Sequence, residues 1–136
     1  GLVLTHAMAH PLSGRFGVPH GVACALLTPP VMAFNAIAAP ERLAEVGHIL
    51  GVPRDPAKTI YEQAYQAAEA FRALMQQLDL PLTLTELGTR GLARPAITEA
   101  DLNTLTADAM LARGMRGRNP RVNGERDIRA LYASVL

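Results

Sequence analysis

Tryptophan is absent and aromatic residues make up only 4% of the chain, so any core must be assembled from Ala, Leu, Val and Ile. Cysteine occurs once, as Cys24, which excludes an internal disulfide; a reducing, cytoplasmic setting is expected. Long hydrophobic runs are missing too. The longest, Val22 to Leu27, is far too short to span a bilayer, so no membrane contact is expected. No signal peptide is expected either, because GLVLTHAMAH lacks a basic n-region and sets histidines where an apolar stretch belongs. Charge of one sign is scarce: the net value of +1 argues against bulk attraction to nucleic acid or acidic lipid. No G-x-G-x-x-G follows a strand, so the chain carries no glycine-rich dinucleotide motif of its own.

What remains is sufficient for one domain. A chain of 136 residues buries roughly 68% of its unfolded surface, and the 49% apolar content can fill that interior. The expectation is a single helical domain over residues 1–136. The first residue is Gly1 rather than Met, directly inside an apolar run, and the chain is therefore expected to be the C-terminal part of something longer.

Turn signals divide the chain into helical stretches without repeats or low-complexity segments. The first, about 2–12, carries His6 and His10 and is expected to end at Pro11 and Gly14. A second, about 20–37, contains Pro29-Pro30, a pair expected to kink or break it because proline lacks an N–H and crowds the preceding turn. A short helix at 41–50 has Pro40 in its first turn, a stripe of Leu43, Val46 and Leu50, and Gly51 at its end. Asp55-Pro56 is expected to open the longest helix, 56–78, whose Ile60, Ala64, Ala67, Phe71, Leu74 and Leu78 form a seam. Thr98 and Asp101 resemble a capping box for a helix at 98–112. Asn123 is expected to cap a last helix, 124–135. Only Leu82–Leu87 shows weak strand alternation. The expected fold class is all-α, a helical bundle.

The chemistry concentrates in HAMAHPLSGRFGVPHG. Three of the four histidines follow the spacing His6-x3-His10-x9-His20-Gly21. On a helix, His6 and His10 project from one face about 6 Å apart, and a short Gly-containing segment lets the chain return with His20. Converging imidazoles suit a divalent transition metal or proton transfer near neutral pH. The i, i+4 pair is not that of a metalloprotease H-E-x-x-H, since Ala7 stands where the general-base Glu would be. The plain alternative is a set of capping or packing histidines. A metal site built from these residues alone would be incomplete, because catalytic sites usually hold three protein ligands and an open position.

The string His6-x3-His10-x2-Ser13-Gly14-x4-Pro19-His20-Gly21-Val22-Ala23, then Pro29-x-Val31-Met32-x-Phe34-Asn35 and later Asn119-Pro120-Arg121, resembles the iron-containing (group III) alcohol dehydrogenase family. The resemblance covers essentially the whole chain. It implies a helical, dehydroquinate synthase-like C-terminal domain, preceded in the full protein by an N-terminal dinucleotide-binding domain, with Fe2+ or Zn2+ and NAD(P) between them and a small alcohol or aldehyde as substrate. His6 and His20 then correspond to metal ligands, and His10 to a catalytic histidine that relays the alcohol's proton. The division is physically reasonable: an imidazole bound to metal cannot also shuttle a proton, whereas a free one titrates near neutral pH. The family's other two ligands, an Asp and a His, lie upstream of this stretch, so the fragment alone is expected to hold little or no metal. Pro30 stands where many members carry His and Cys24 where several carry Asn, departures that bear on the substrate. A homo-oligomer is also expected.

Other features have plainer readings. Arg113, Arg116, Arg118, Arg121, Arg126 and Arg129 form a basic cluster, but no aromatics interleave with them as nucleic-acid binding would favour, so a solvated face or an interdomain contact is expected. Cys24 is read as packing in an apolar helix, His48 as a surface residue, and Met32, Phe34 and Asn35 as cleft or packing residues. Two rivals stand beside the dehydrogenase reading. One is a related maleylacetate reductase, against which Gly21 after the last His argues; the other is a non-catalytic helical module acting by assembly.

Overall fold

The computed structural model describes residues 3–136, and every regular element in them is helical. In chain order these are α1 (Leu4–Phe16), α2 (His20–Asn35), α3 (Pro40–Ile49), α4 (Ile60–Gln77), α5 (Leu84–Thr89), α6 (Leu102–Leu111), α7 (Arg113–Arg116) and α8 (Glu125–Ala133). A single 3-10 turn, Glu99–Asp101, leads into α6. No strand occurs among the described residues, so the expected all-α class holds.

Helix α1 forms the axis of the packing. It lies against α2, α6 and α7, while α2 also packs on α4 and α8. Leu4, Met8 and Leu12, spaced four residues apart, are fully buried along one side of it. From α8 the Tyr132 hydroxyl, itself buried, donates to the Met8 carbonyl at 2.6 Å, tying the last helix to the first. The core around them is completed by Leu26, Leu27, Leu84, Leu87, Leu102, Leu105 and Ile128. Helices α3 and α4 approach closely at Gly47, where a Cβ would stand 3.3 Å from that of Ala67.

Several helix boundaries differ from the expected ones, each for an identifiable reason. The expected start at Leu2 lies outside the described residues. Pro11 and Gly14 do not end α1, which continues to Phe16 and stops at Gly17 in a left-handed conformation, φ 66°. A proline mid-helix costs one bond, to the Ala7 carbonyl, but Phe16 is buried by the extra turn and Gly17 supplies a favourable cap. Likewise Pro29-Pro30 does not break α2, which runs unbroken through both with Pro29 buried. The long helix α4 begins at Ile60 rather than at Asp55-Pro56. Thr59 and Glu62 close a capping box there, the Thr59 Oγ1 accepting from the Glu62 N–H at 3.2 Å and the Glu62 carboxylate from the Thr59 N–H at 2.7 Å. The α4 seam turns away from the core at its end: Ala64, Ala67 and Met75 are buried, but Leu74 and Leu78 are exposed.

The Thr98–Asp101 box forms as expected. Asn123, by contrast, does not cap α8. That position belongs to Gly124, while Asn123 accepts from Arg116 Nε at 3.0 Å. The Leu82–Leu87 alternation belongs to no strand; Thr83 caps the short helix α5 instead, accepting from the Glu86 N–H.

Candidate metal centre

Two helix starts set the cluster. His6 lies in the first turn of α1 and His10 one turn on, while Pro19 fixes the entry to α2 so that His20 is its first residue. Because α1 and α2 pack side by side, His20 is carried between the two α1 histidines. Its ring centroid lies 5.5 Å from that of His6 and 5.4 Å from that of His10. All three sequence-predicted histidines are thus brought together.

Their surroundings differ. His10 and His20 are exposed, whereas His6 is half-buried with its Nδ1 enclosed and without a hydrogen-bond partner among the described residues. Burial, and then the neighbouring His20 and His10, holds the His6 imidazole below its ordinary pKa and so in the neutral form a metal requires. Cys24, expected as packing, does pack half-buried against the core. The structure places it one turn along α2 from His20, half-buried, with Sγ 3.5 Å from His20 Nε2. The missed signal is the His20-x3-Cys24 spacing, the same i, i+4 relation as His6 and His10. Burial pushes the Cys24 thiol up from its usual value.

A ligand atom from each of His6, His20 and Cys24 lies within 4.8 Å of the others. Two imidazoles, one of them with an orphaned enclosed nitrogen, fit a borderline divalent ion such as Fe2+ or Zn2+. His10 stands beside this donor set and outside it, with its ring free for other work.

The remaining candidates are structural. Asn35 and Asn119 are buried and exchange reciprocal side-chain hydrogen bonds of 3.0 and 2.7 Å, joining the end of α2 to the loop before α8. Arg121 donates to the Phe34 carbonyl at 2.9 Å and stacks over the Phe34 ring at 4.1 Å. Met32 packs against Ala67 and Ala68. Within the basic cluster Arg116 binds Asn123 and the Met110 carbonyl, and Arg129 binds Asn103. His48 is half-buried, its Nδ1 3.0 Å from the Val52 carbonyl beyond α3. A groove of about 660 Å³ between α3 and α4 contains none of the histidines. No helix among the described residues is long and apolar enough to cross a membrane.

Comparison with known proteins gives this geometry a context. Residues 1–136 match the model of the Fe-containing alcohol dehydrogenase family, C-terminal. Lactaldehyde reductase of Escherichia coli strain K12 is 35% identical over 132 residues, covering 97% of this chain and 32% of that protein. The 1,3-propanediol dehydrogenase of Klebsiella pneumoniae is 35% identical over 96% of this chain and 31% of its own length. A solved 1,3-propanediol oxidoreductase superposes with a TM-score of 0.86 at 30% identity, covering 98% of this chain and 32% of that one. The chain spans about a third of the length of the curated relatives it matches.

Proposed function

The chain belongs to the Fe-containing alcohol dehydrogenase family, matching its C-terminal part, and on that premise we propose that it is the metal-holding helical portion of a longer NAD(P)-dependent enzyme. That enzyme interconverts a small alcohol and its aldehyde. The observation that carries the reading is the convergence of His6, His10 and His20 across α1 and α2 in a chain matched end to end by the family. His6 and His20 hold Fe2+ or Zn2+, joined by donors from an upstream dinucleotide-binding domain. The ion, when bound, supplies Lewis-acid polarisation at the substrate oxygen. A nicotinamide held by the upstream domain would supply the hydride acceptor.

The residues of this chain do the rest. His6, held neutral by burial, offers a ring nitrogen without first having to lose a proton. His20 sits between the other two histidines, so it links the donor set to His10. His10, exposed and outside the donor set, accepts the alcohol's proton on a ring nitrogen and passes it to solvent. The cluster lies open on the surface, and the upstream domain closes over it to exclude water. Relatives named for lactaldehyde, 1,3-propanediol and long-chain alcohols support an alcohol or aldehyde substrate. A homo-oligomeric, cytoplasmic enzyme belongs to the same reading. The test is metal analysis together with alcohol-dependent NAD(P)+ reduction by the full-length protein: stoichiometric Fe2+ or Zn2+ with turnover is expected, and a metal-free protein that turns over alcohol equally well would overturn the reading.

A further inference from the structure

Cys24 is the member of the cluster left without a task. It lies on the same face of α2 as His20, one turn along, half-buried against the core, with its sulfur 3.5 Å from His20 Nε2. The distance between those two atoms is informative. An ion with metal–sulfur bonds of about 2.3 Å and metal–nitrogen bonds of about 2.0–2.1 Å sets neighbouring sulfur and nitrogen ligands about 3.1–3.8 Å apart across four- and five-coordinate geometries. Cys24 Sγ and His20 Nε2 are 3.5 Å apart, and His6 offers its ligand atom within 4.8 Å of both. His6 Nδ1 is enclosed without a hydrogen-bond partner among the described residues.

We propose that Cys24 is a third ligand from this chain to the ion held by His6 and His20, a proposal that rests on the metal-site reading above. On binding, the S–H bond breaks, the proton leaves to solvent, and the sulfur lone pair enters the coordination shell as thiolate. A thiolate donor tips the site towards Zn2+ relative to an all-nitrogen-and-oxygen set, which suits Fe2+ better. The competing account of the same 3.5 Å is a simple hydrogen bond from the thiol to an imidazole nitrogen, with no part in metal binding.

Co2+ separates the two, because a cobalt–thiolate bond adds an intense near-ultraviolet charge-transfer absorption that imidazole and carboxylate ligands lack. The full-length protein is stripped of metal and titrated with Co2+. The expected result is a sulfur-to-cobalt band that disappears in Cys24→Ser while Co2+ still binds, at least about tenfold more weakly, since losing partners one step outside the ligands already costs about 10–100-fold. His-dependent Co2+ binding without the band, or a band that survives in Cys24→Ser, overturns the proposal and leaves the histidine site standing. Co2+ binding that is absent, or indifferent to His6→Ala and His20→Ala, overturns the metal-site reading itself and the Cys24 role with it. Should Cys24→Ser fail to fold, alkylation of wild-type Cys24 by iodoacetamide, followed by mass spectrometry of its peptide, replaces it. Protection by Co2+ is expected, and equal rates with and without the ion overturn the ligand role.

Discussion

His20 has a different standing from its two neighbours, because it alone is in ring-to-ring proximity with both. Replacing it should therefore disturb metal and proton relay together, whereas the two α1 histidines should separate these functions. In the full-length enzyme His6→Ala and His20→Ala are expected to release metal, read by elemental analysis. His10→Ala should keep the metal and lower kcat by about 10²–10⁴-fold, the range for loss of a general base. Metal lost from His10→Ala and kept in His20→Ala would reverse the roles and restore the i, i+4 pair as the ligands. A second residue-level prediction concerns Asn119. Its side chain satisfies the buried Asn35 amide in both directions, so Asn119→Ala leaves Asn35 buried and unpaired. A loss of about 1–3 kcal/mol in urea unfolding is expected; an unchanged midpoint would mean the pair contributes nothing. The histidine spacing was legible in the sequence because three side chains at set intervals leave few geometries. Cys24 was not, because a cysteine within an apolar run looks the same whether its sulfur faces the core or the neighbouring turn.

At the scale of elements, the helices that deviate from expectation do so where local and tertiary terms compete. Thr59 defines the start of α4 although Asp55-Pro56 looks the stronger signal, because the reciprocal cap satisfies two backbone donors whereas Asp55 accepts from one, the Ala57 N–H at 2.9 Å. Thr59→Ala should destabilise the fold by about 0.5–2 kcal/mol and cost more than Asp55→Ala, measured by the shift in urea midpoint. The reverse order would place the helix start at Asp55. Helix α5 is too short for a hydrophobic period to reveal it, and its stability comes from contacts beyond its own sequence. The Glu86 carboxylate accepts from the Leu82 N–H at 2.7 Å and pairs with Arg90. First that backbone bond and then the Arg90 guanidinium hold the Glu86 carboxyl below its ordinary value of 4.5. With the folded pKa below the unfolded one, the contribution is present above about pH 4.5 and disappears as pH falls through the folded value. Glu86→Gln should therefore flatten the acid limb of stability against pH in that window while changing little at pH 7 beyond a constant offset. An acid limb of unchanged slope would show that Glu86 is not linked to folding. The prolines of α1 and α2 teach the same lesson from the other side. Each sacrifices helical bonds that sequence rules count heavily, and the burial of Phe16 beyond Pro11, and of Val31 and Met32 beyond Pro29-Pro30, outweighs the loss.

Taken whole, the molecule is a core tied across its length, with the first helix bonded to the last through Tyr132 and Met8, and a reactive cluster left on its outside. Such an arrangement is poor for catalysis by itself. His10 and His20 stand in water, where a polarised substrate gains little from the low dielectric that strengthens charge interactions in closed sites. The described residues contain no strand to carry a dinucleotide fold. The expectation of a further domain rests on the histidine signature and the absent glycine motif together, because one implies a redox partner that the other leaves out of this stretch. The resulting expectation is that the isolated 136-residue chain binds Co2+ or Zn2+ more weakly than the full-length protein and reduces no NAD(P)+ with small alcohols, while the full-length protein does both. Equilibrium dialysis against Zn2+ and nucleotide absorbance with propane-1,3-diol as substrate measure the two properties on matched samples. Nucleotide reduction by the purified chain, free of contaminating dehydrogenase, would show that the histidine face is a complete active site and that no second domain is needed to finish it.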